Sequence, residues 1–412
     1  MKLLFVVQRY GREVFGGAEA FTRQLSGKLA GRGHQVEVLT SCAIDYSEWR
    51  NGYPAGDEVL DGVLVHRLPV TRPRDPGQFA SIHRRVFGSP GWPATMVQEE
   101  WLRLEGPWLA GLPGWLAARS AAYDANIFVT YLYWPTWAGL KVAAAPTVLH
   151  PTAHDEPPAY LPLFDEMFRL PDAFGFLTPE EADFVRRRFR VDRPSIVSGI
   201  GIDLDQPGDE AAFRRRFGLG DDPYLACVGR TDPGKGSPEL FDFFVAYRRR
   251  HPGPLKLVYI GEEVYPLERH PDVVMTGFVD EETRTAGIRG ATVLVQPSYY
   301  ESFSLVLVEA WAEAVPALVQ GECAVLAGQC RRAAGGLPYR GYAEFEAAVE
   351  LLLGDAGLRR QLGQAGRAYV RANYRWEVIL ERYEAFLEGL RHLRARVGPA
   401  LLTVPAAAPT VR

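Results

Sequence analysis

Residues 1–41 read MKLLFVVQRYGREVFGGAEAFTRQLSGKLAGRGHQVEVLTS, and the change of period inside this stretch decides the fold. LLFVV is a short continuous apolar run, the pattern of a strand buried on both faces. GGAEAFTRQLSGKLAGRG spaces its apolar residues for a helix and ends in glycine, after which HQVEVLTS returns to strand. Strand, glycine loop, helix and strand make one β–loop–α–β unit, and such units build parallel sheets.

The same alternation continues. VLVHRLPV, NIFVTYLY, PTVLH, DAFGFLTP and PSIVSGIG extend the strand series to about residue 200. GIGIDLDQPGDEAAFRRRFGLGDDP then interrupts it with glycines, prolines and acidic turns, which predicts an interdomain linker over 199–222 with a short helix at its centre. A second series follows: YLACVGR, a helix over PELFDFFVAYRRRH, LKLVYIG, VVMTGFV and ATVLVQPS. The expected class is therefore α/β, with two Rossmann-like doubly wound parallel-sheet domains. A chain of 412 residues is long enough for two cores, and two cores imply a cleft.

Composition narrows the function. A net charge of −4 argues against a general nucleic-acid binder, which needs a basic surface for phosphates. Lysine occurs only at positions 2, 28, 141, 235 and 256, so a lysine in a loop stands out. Cys42, Cys227, Cys323 and Cys330 lack the spacing of a zinc or redox site and are expected to be reduced thiols. The N-terminus reads as a first strand rather than a signal peptide, and no window is apolar for the length of a membrane span. Trp101, Trp108 and Trp115, seven apart, are expected to pack helices onto the first domain rather than to form an acceptor or membrane-facing lip. The arginine runs at 186–188, 214–216 and 248–250 read as solvated helix ends. The end, VPAAAPTVR, reads as a disordered tail over 397–412.

Four segments carry residues suited to chemistry. VGRTDPGKG, residues 228–236, lies between a strand and a helix and offers Arg230 and Lys235 among glycines. A bidentate guanidinium with a point charge suits a diphosphate, although the spacing is not that of a Walker loop. ESFSLVLVE, residues 301–309, places Glu301 in a loop and Glu309 about a turn inside the following helix. The backbone N–H groups of Phe303, Ser304 and Leu305 would then lie at a helix N-terminus, and each carboxylate could accept from a vicinal diol. FGGAEAF supplies Gly16 and Gly17, where backbone could approach a phosphate or sugar. HPTAHDEPPAY holds His150, His154 and Asp155 beyond a strand end. The D-x-D of residues 203–205 falls in the linker and reads as a turn, so no metal is expected.

Taken in order, FGGAE, HPTAHDEPP, GIGID, GRTDPGKG, ESFSLVLVE and YVRANYRWEVILERYEAFL resemble the retaining glycosyltransferases of family 4 over Met1 to about Leu390. The resemblance implies a GT-B architecture: an acceptor-binding domain over 1–200, a nucleotide-sugar domain over 201–375, and a C-terminal helix over 376–395 crossing back to the first. It implies that Arg230 and Lys235 bind the donor diphosphate, Glu301 the transferred sugar and Glu309 the ribose. Ser302 to Leu305 and Gly16 and Gly17 would line the donor, Val279 would face the base, and His154 would act near the acceptor. The implied reaction moves a hexose from a nucleoside-diphosphate sugar to the hydroxyl of a sugar, lipid-linked or small-molecule acceptor. Configuration would be retained, with no metal and no cofactor besides the co-substrate. The implied setting is cytoplasmic, with peripheral contact at the inner membrane face. Family members commonly carry glycine where this chain has Ser304. A nucleotide-sugar epimerase and a non-catalytic nucleotide-sugar binder are the alternatives; a glycosidase would leave Arg230 and Lys235 idle.

Overall fold

A computed structural model describes residues 1–88 and 90–397. The terminus expected to be a tail lies outside the described residues from 398 onward, while Val397 closes a helix. The described residues form two compact units, one made of Met1–Ser198 and the last helix from Leu380 to Val397, the other of Gly199–Ile379.

The first unit is built on β1 (Lys2–Val6), β2 (Gln35–Ser41), β3 (Gly56–Leu60), β4 (Val63–Leu68), β5 (Ala125–Val129), β6 (Thr147–His150), β7 (Ala173–Phe176) and β8 (Ser195–Val197). Their order is β3-β4-β2-β1-β5-β6-β7-β8, so the winding reverses between β1 and β5. Every pairing is parallel except β3 with β4. That antiparallel edge departs from the all-parallel expectation. Its cause is the two-residue turn Asp61–Gly62, with φ of 51° and 81°, the left-handed pair that suits a tight hairpin.

The tryptophans of the first unit pack, but not along one helix. Trp101 is buried in the helix Thr95–Glu105, which stops before Gly106 and Pro107, and Trp115 sits on a separate helix, Leu112–Arg119. Proline disfavours helix at the residue before it and lacks an N–H of its own, so the heptad spacing crosses a break. Trp108, in the connection, lies tilted against Trp134 with ring centroids 4.9 Å apart.

The second unit carries β9 (Tyr224–Val228), β10 (Lys256–Ile260), β11 (Val273–Met275), β12 (Val293–Gln296), β13 (Ala317–Gln320) and β14 (Gly336–Tyr339). The order β11-β10-β9-β12-β13-β14 is all parallel and reverses between β9 and β12. The segment expected as a linker is part of this unit. Ile200 and Ile202 are buried, Ile202 N–H donates to the Tyr374 carbonyl, and Asp205 pairs with Arg367 at 2.9 Å. The arginine runs also do more than solvate helix ends: Arg188 pairs with Asp165 at 2.7 Å, and the other two runs reach backbone. Arg214 donates to the carbonyls of Gly220, Asp222 and Gly290, and Arg248 to those of His251 and Gly253. Each therefore fastens the turn that follows its helix.

The last helix, Trp376–Val397, starts in the second unit and continues in the first. In the first unit Tyr383 is fully buried and its hydroxyl meets His150 Nε2 at 2.9 Å. Among the described residues no helix is long and apolar enough to cross a membrane.

Candidate functional site

In an open doubly wound sheet, ligands bind beyond the carboxyl ends of the strands where the winding reverses. In the second unit that point is flanked by the loop after β9, residues 229–236, and the loop after β12, residues 297–304. Gly236 lets them meet: its φ is 71°, and a Cβ there would stand 2.3 Å from the Pro297 carbonyl oxygen. Within the first loop, Thr231 N–H donates to the Glu262 carbonyl, and the Asp232 carboxylate accepts from Gly234 N–H at 2.8 Å. These bonds fix the short turn Pro233–Lys235 and aim Lys235 across the gap. Its Nζ donates to Glu301 Oε1 at 2.7 Å. Arg230, from the same loop, has its Nε 3.2 Å from Asp232 Oδ2.

Glu301 is held from below as well. Gln296, closing β12, sends its amide Nε2 to Glu301 Oε1 at 3.1 Å and to Ser304 Oγ at 3.2 Å. Ser304 is the residue before the helix Leu305–Ala312 and has φ 68° and ψ 83°. That conformation costs an L-residue about 1–2 kcal/mol and favours glycine, the residue that the resemblance leads one to expect here. Ser302, between Glu301 and Phe303, is half-buried. Phe303 contributes backbone only: its ring is buried against Tyr374 at 5.1 Å, and its carbonyl accepts from the Gln329 amide. Beyond it, Leu307, Val308 and Trp311 bury the helix face.

Glu309, about a turn into that helix, belongs to a different ion pair. Its Oε2 accepts from Arg284 Nη1 at 2.7 Å. Val279 is half-buried beside Asp280, which caps the helix Glu281–Arg289 by accepting from Thr283 N–H at 2.7 Å. The structure thus brings together Lys235, Glu301 and Ser304, keeps Arg230 in the same loop on its own carboxylate, and gives Glu309 a separate cation.

In the first unit, the reversal between β1 and β5 faces the loop that carries Gly16 and Gly17. A Cβ on Gly17 would meet nothing within 4 Å, whereas one on Gly16 would stand 2.2 Å from Glu19 Oε2. Glu19 is itself committed. Its Oε1 accepts from Arg9 Nη2 at 2.6 Å, Arg9 Nε at 3.0 Å and Gln8 Nε2 at 3.0 Å, while Arg9 also donates to the Ile44 and Phe15 carbonyls. A buried charge pair therefore holds the glycine loop from beneath.

His154 lies in the loop after β6, half-buried, with Nδ1 3.2 Å from Glu156 Oε1. Asp155 beside it is exposed and accepts from the Tyr160 hydroxyl at 2.7 Å. His150, four residues earlier, is a core residue: burial pushes its pKa down to about 3, so the ring stays neutral between Tyr383 and Phe21. The loop between the two histidines is tied by Glu181, whose carboxyl accepts from Ala153 N–H at 2.8 Å and Leu177 N–H at 2.6 Å. Burial pushes Glu181 up to about 8, against the pull of those N–H donors. All four cysteines are free and buried, and burial raises the pKa of each, which removes them as nucleophiles.

Gln296, Gln329, Arg284, Arg9 and Glu181 escape sequence reasoning. Only Gln296 leaves a trace there, as a polar residue ending the otherwise apolar run VLVQ.

Known proteins resemble this chain over both of its halves. Residues 16–198 match the family described as Glycosyl transferase 4-like domain, and residues 209–369 that described as Glycosyl transferases group 1. A D-inositol 3-phosphate glycosyltransferase of Nocardia farcinica is 28% identical over 425 residues, covering 94% of this chain and 89% of the relative. That of Streptomyces bingchenggensis is 27% identical, with 92% and 87% covered. Among solved structures, sucrose-phosphate synthase from Thermosynechococcus elongatus shares the fold with a TM-score of 0.70 at 19% identity, covering 95% of this chain and 99% of that one. Anabaena HepE, solved in complex with UDP and glucose, has a TM-score of 0.65 at 13% identity, with 94% and 100% covered. With both halves matched in order and two doubly wound sheets in place, the chain belongs to the GT-B glycosyltransferases of family 4.

Proposed function

We propose that this chain transfers a hexose from a nucleoside-diphosphate sugar to an acceptor hydroxyl, with retention at the anomeric carbon and without a metal ion. The observation that carries the reading is the 2.7 Å contact of Lys235 with Glu301 at the point where the second sheet reverses its winding. A cation and a carboxylate placed there suit the two ends of one donor. The diphosphate takes Lys235 and Arg230, and the hydroxyls of the transferred sugar take Glu301. The backbone of Ser302 to Leu305 adds N–H donors at a helix start. Glu309 receives the ribose hydroxyls, Val279 borders the base, and the Gly16–Gly17 loop, open at Gly17, lines the donor.

In the reaction, the bond from the anomeric carbon to the diphosphate oxygen breaks while a bond to the acceptor oxygen forms on the same face. The acceptor's proton passes to the departing phosphate oxygen. Negative charge grows on the diphosphate, so Lys235 and Arg230 stabilise the transition state more than the ground state. His154, on its proline-fixed loop, orients the acceptor and the transferred sugar.

Support for a UDP-hexose donor comes from the Anabaena protein, solved with UDP and glucose, and the Escherichia coli protein bound with UDP-2-fluoro glucose. Support for a polyol acceptor comes from relatives named for D-inositol 3-phosphate. The test is a thermal-shift screen of UDP-, GDP-, ADP- and dTDP-sugars, because a cognate donor at about 100 times its Kd stabilises the fold by roughly 2.7 kcal/mol. Product analysis with and without acceptor follows, with the anomeric configuration read by NMR and the rate compared in excess EDTA. An inverted product, loss of the rate in EDTA, or conversion of the donor sugar without acceptor would each overturn a stated part of the reading.

A further inference from the structure

We propose that Gln296 is a positioning residue for transfer, and that Ser304 is its matched partner. The proposal rests on the reading of Glu301 as the ligand of the transferred sugar. Glu301 Oε1 receives two donors, Lys235 Nζ at 2.7 Å and Gln296 Nε2 at 3.1 Å. They differ in kind. The lysine side chain is 45% exposed and sits on a flexible stem, so it follows charge. The glutamine is 6% exposed at the end of a strand paired on both sides, so its amide is fixed in direction.

When a diphosphate claims Lys235, Gln296 is the donor that stays on Glu301. It keeps the carboxylate from following the ammonium and leaves the other oxygen turned to a sugar. One site can then serve the phosphate end and the sugar end of a donor with residues that start as an ion pair.

The amide has two hydrogens, and the second goes to Ser304 Oγ at 3.2 Å. Glycine at 304 would suit the φ of 68° but would leave that hydrogen buried without an acceptor, free to draw the amide away from Glu301. Gln296 and Ser304 therefore act as a pair, and the serine, poorly suited to its own backbone, is explained by the glutamine beneath it.

The experiment uses the full-length protein and whichever of UDP-, GDP-, ADP- or dTDP-glucose raises its melting temperature most. Turnover is followed as release of the nucleoside diphosphate, and affinity for that diphosphate is measured separately. Gln296→Met, equal in length but without donors, is expected to lower kcat about tenfold through misplacement of Glu301 while diphosphate affinity stays within about twofold. Ser304→Gly is expected to lower kcat about threefold alone and not at all in the Gln296→Met background, as coupled residues do. Wild-type kcat for Gln296→Met, equal losses of kcat and diphosphate affinity, or the same Ser304→Gly factor in both backgrounds would overturn the proposal. If methionine prevents folding, Gln296→Glu keeps the shape and sets like charge against Glu301; lost kcat with retained affinity is then expected, and unchanged kcat overturns the proposal. Glu301→Gln run in parallel separates the two readings. Wild-type turnover there removes Glu301 from the donor and the proposal with it, whereas a dead Glu301→Gln beside an active Gln296→Met removes Gln296 alone.

Discussion

Each unit places a cation against a glutamate beside the point where its sheet reverses, and the two pairs are built differently. Arg9 and Glu19 are each 7% exposed at the side chain and share a 2.6 Å contact. Lys235 and Glu301 are 45% and 11% exposed and share a 2.7 Å contact. The distances are nearly equal; the access to water is not. The first pair also spends its remaining donors on backbone carbonyls, while the lysine keeps a flexible stem in solvent. Equal geometry therefore serves two ends: one pair is architecture, and the other, on the proposed reading, gives way to a ligand.

The largest effect is expected from breaking the buried pair. Glu19→Ala leaves the Arg9 guanidinium buried and uncompensated and should destabilise the protein by about 3–5 kcal/mol. In a domain of this size each kcal/mol lowers the melting temperature by roughly 2–4 °C, which calorimetry would read. Lys235→Ala should behave oppositely. Its ammonium is the exposed member and Gln296 still donates to Glu301, so stability changes by less than about 1 kcal/mol, yet the donor loses transition-state stabilisation of about 2.7–4 kcal/mol, measured as kcat/KM. A catalytic loss for Glu19→Ala in a fully folded protein, or a melting collapse for Lys235→Ala, would reverse the comparison.

Titration sharpens it on the first unit alone. His150 has its pKa lowered from 6.5 to about 3, so the unfolded chain binds the extra proton and stability is lost as pH falls through that window. Glu181 has its pKa raised from 4.5 to about 8, so the folded state binds the extra proton and stability is lost as pH rises through that window. The two slopes oppose each other where they overlap. Urea midpoints from pH 5 to pH 8.5 should pass through a maximum, and Glu181→Gln should flatten the alkaline limb. An unchanged alkaline limb in that variant would show that Glu181 is not the group responsible.

The smallest effect is expected at Ser304. Glycine relieves the left-handed backbone, worth about 1–2 kcal/mol, and forfeits the hydrogen bond from Gln296, worth about 0.5–1.5 kcal/mol. The net change in stability should lie within about 1 kcal/mol of zero by chemical denaturation.

The fold was legible because its signal is periodic. Apolar runs such as LLFVV and YLACV sit where strands form, and the loops after them carry Lys235, Glu301 and His154. What periodicity does not encode is who meets whom. Lys235 and Glu301 are 66 positions apart, and their contact depends on Gly236 passing close to Pro297, which no spacing predicts. Glu301 and Glu309 share one motif, the first expected in a loop and the second in the helix, and nothing in the motif tells that Arg284 holds Glu309 in a separate pair. The tryptophans pack onto the first unit as expected, and Gly106 and Pro107 mark where the heptad passes from one helix to the next. Glu181 and Arg9 act from under the loops, and single charged letters inside a helix or after a strand say nothing of burial.

The hairpin at Asp61–Gly62 has a consequence for the life of the protein in a crowded solution. A parallel sheet ending at β4 would present a row of unpaired backbone groups on a strand whose residues are largely apolar. Instead β3 closes that side as five mostly exposed residues, with Asp57 accepting from His66 and Glu58 from Arg67. A short, charged margin of this kind is a poor template for another chain, so the sheet ends in a strand that discourages its own growth.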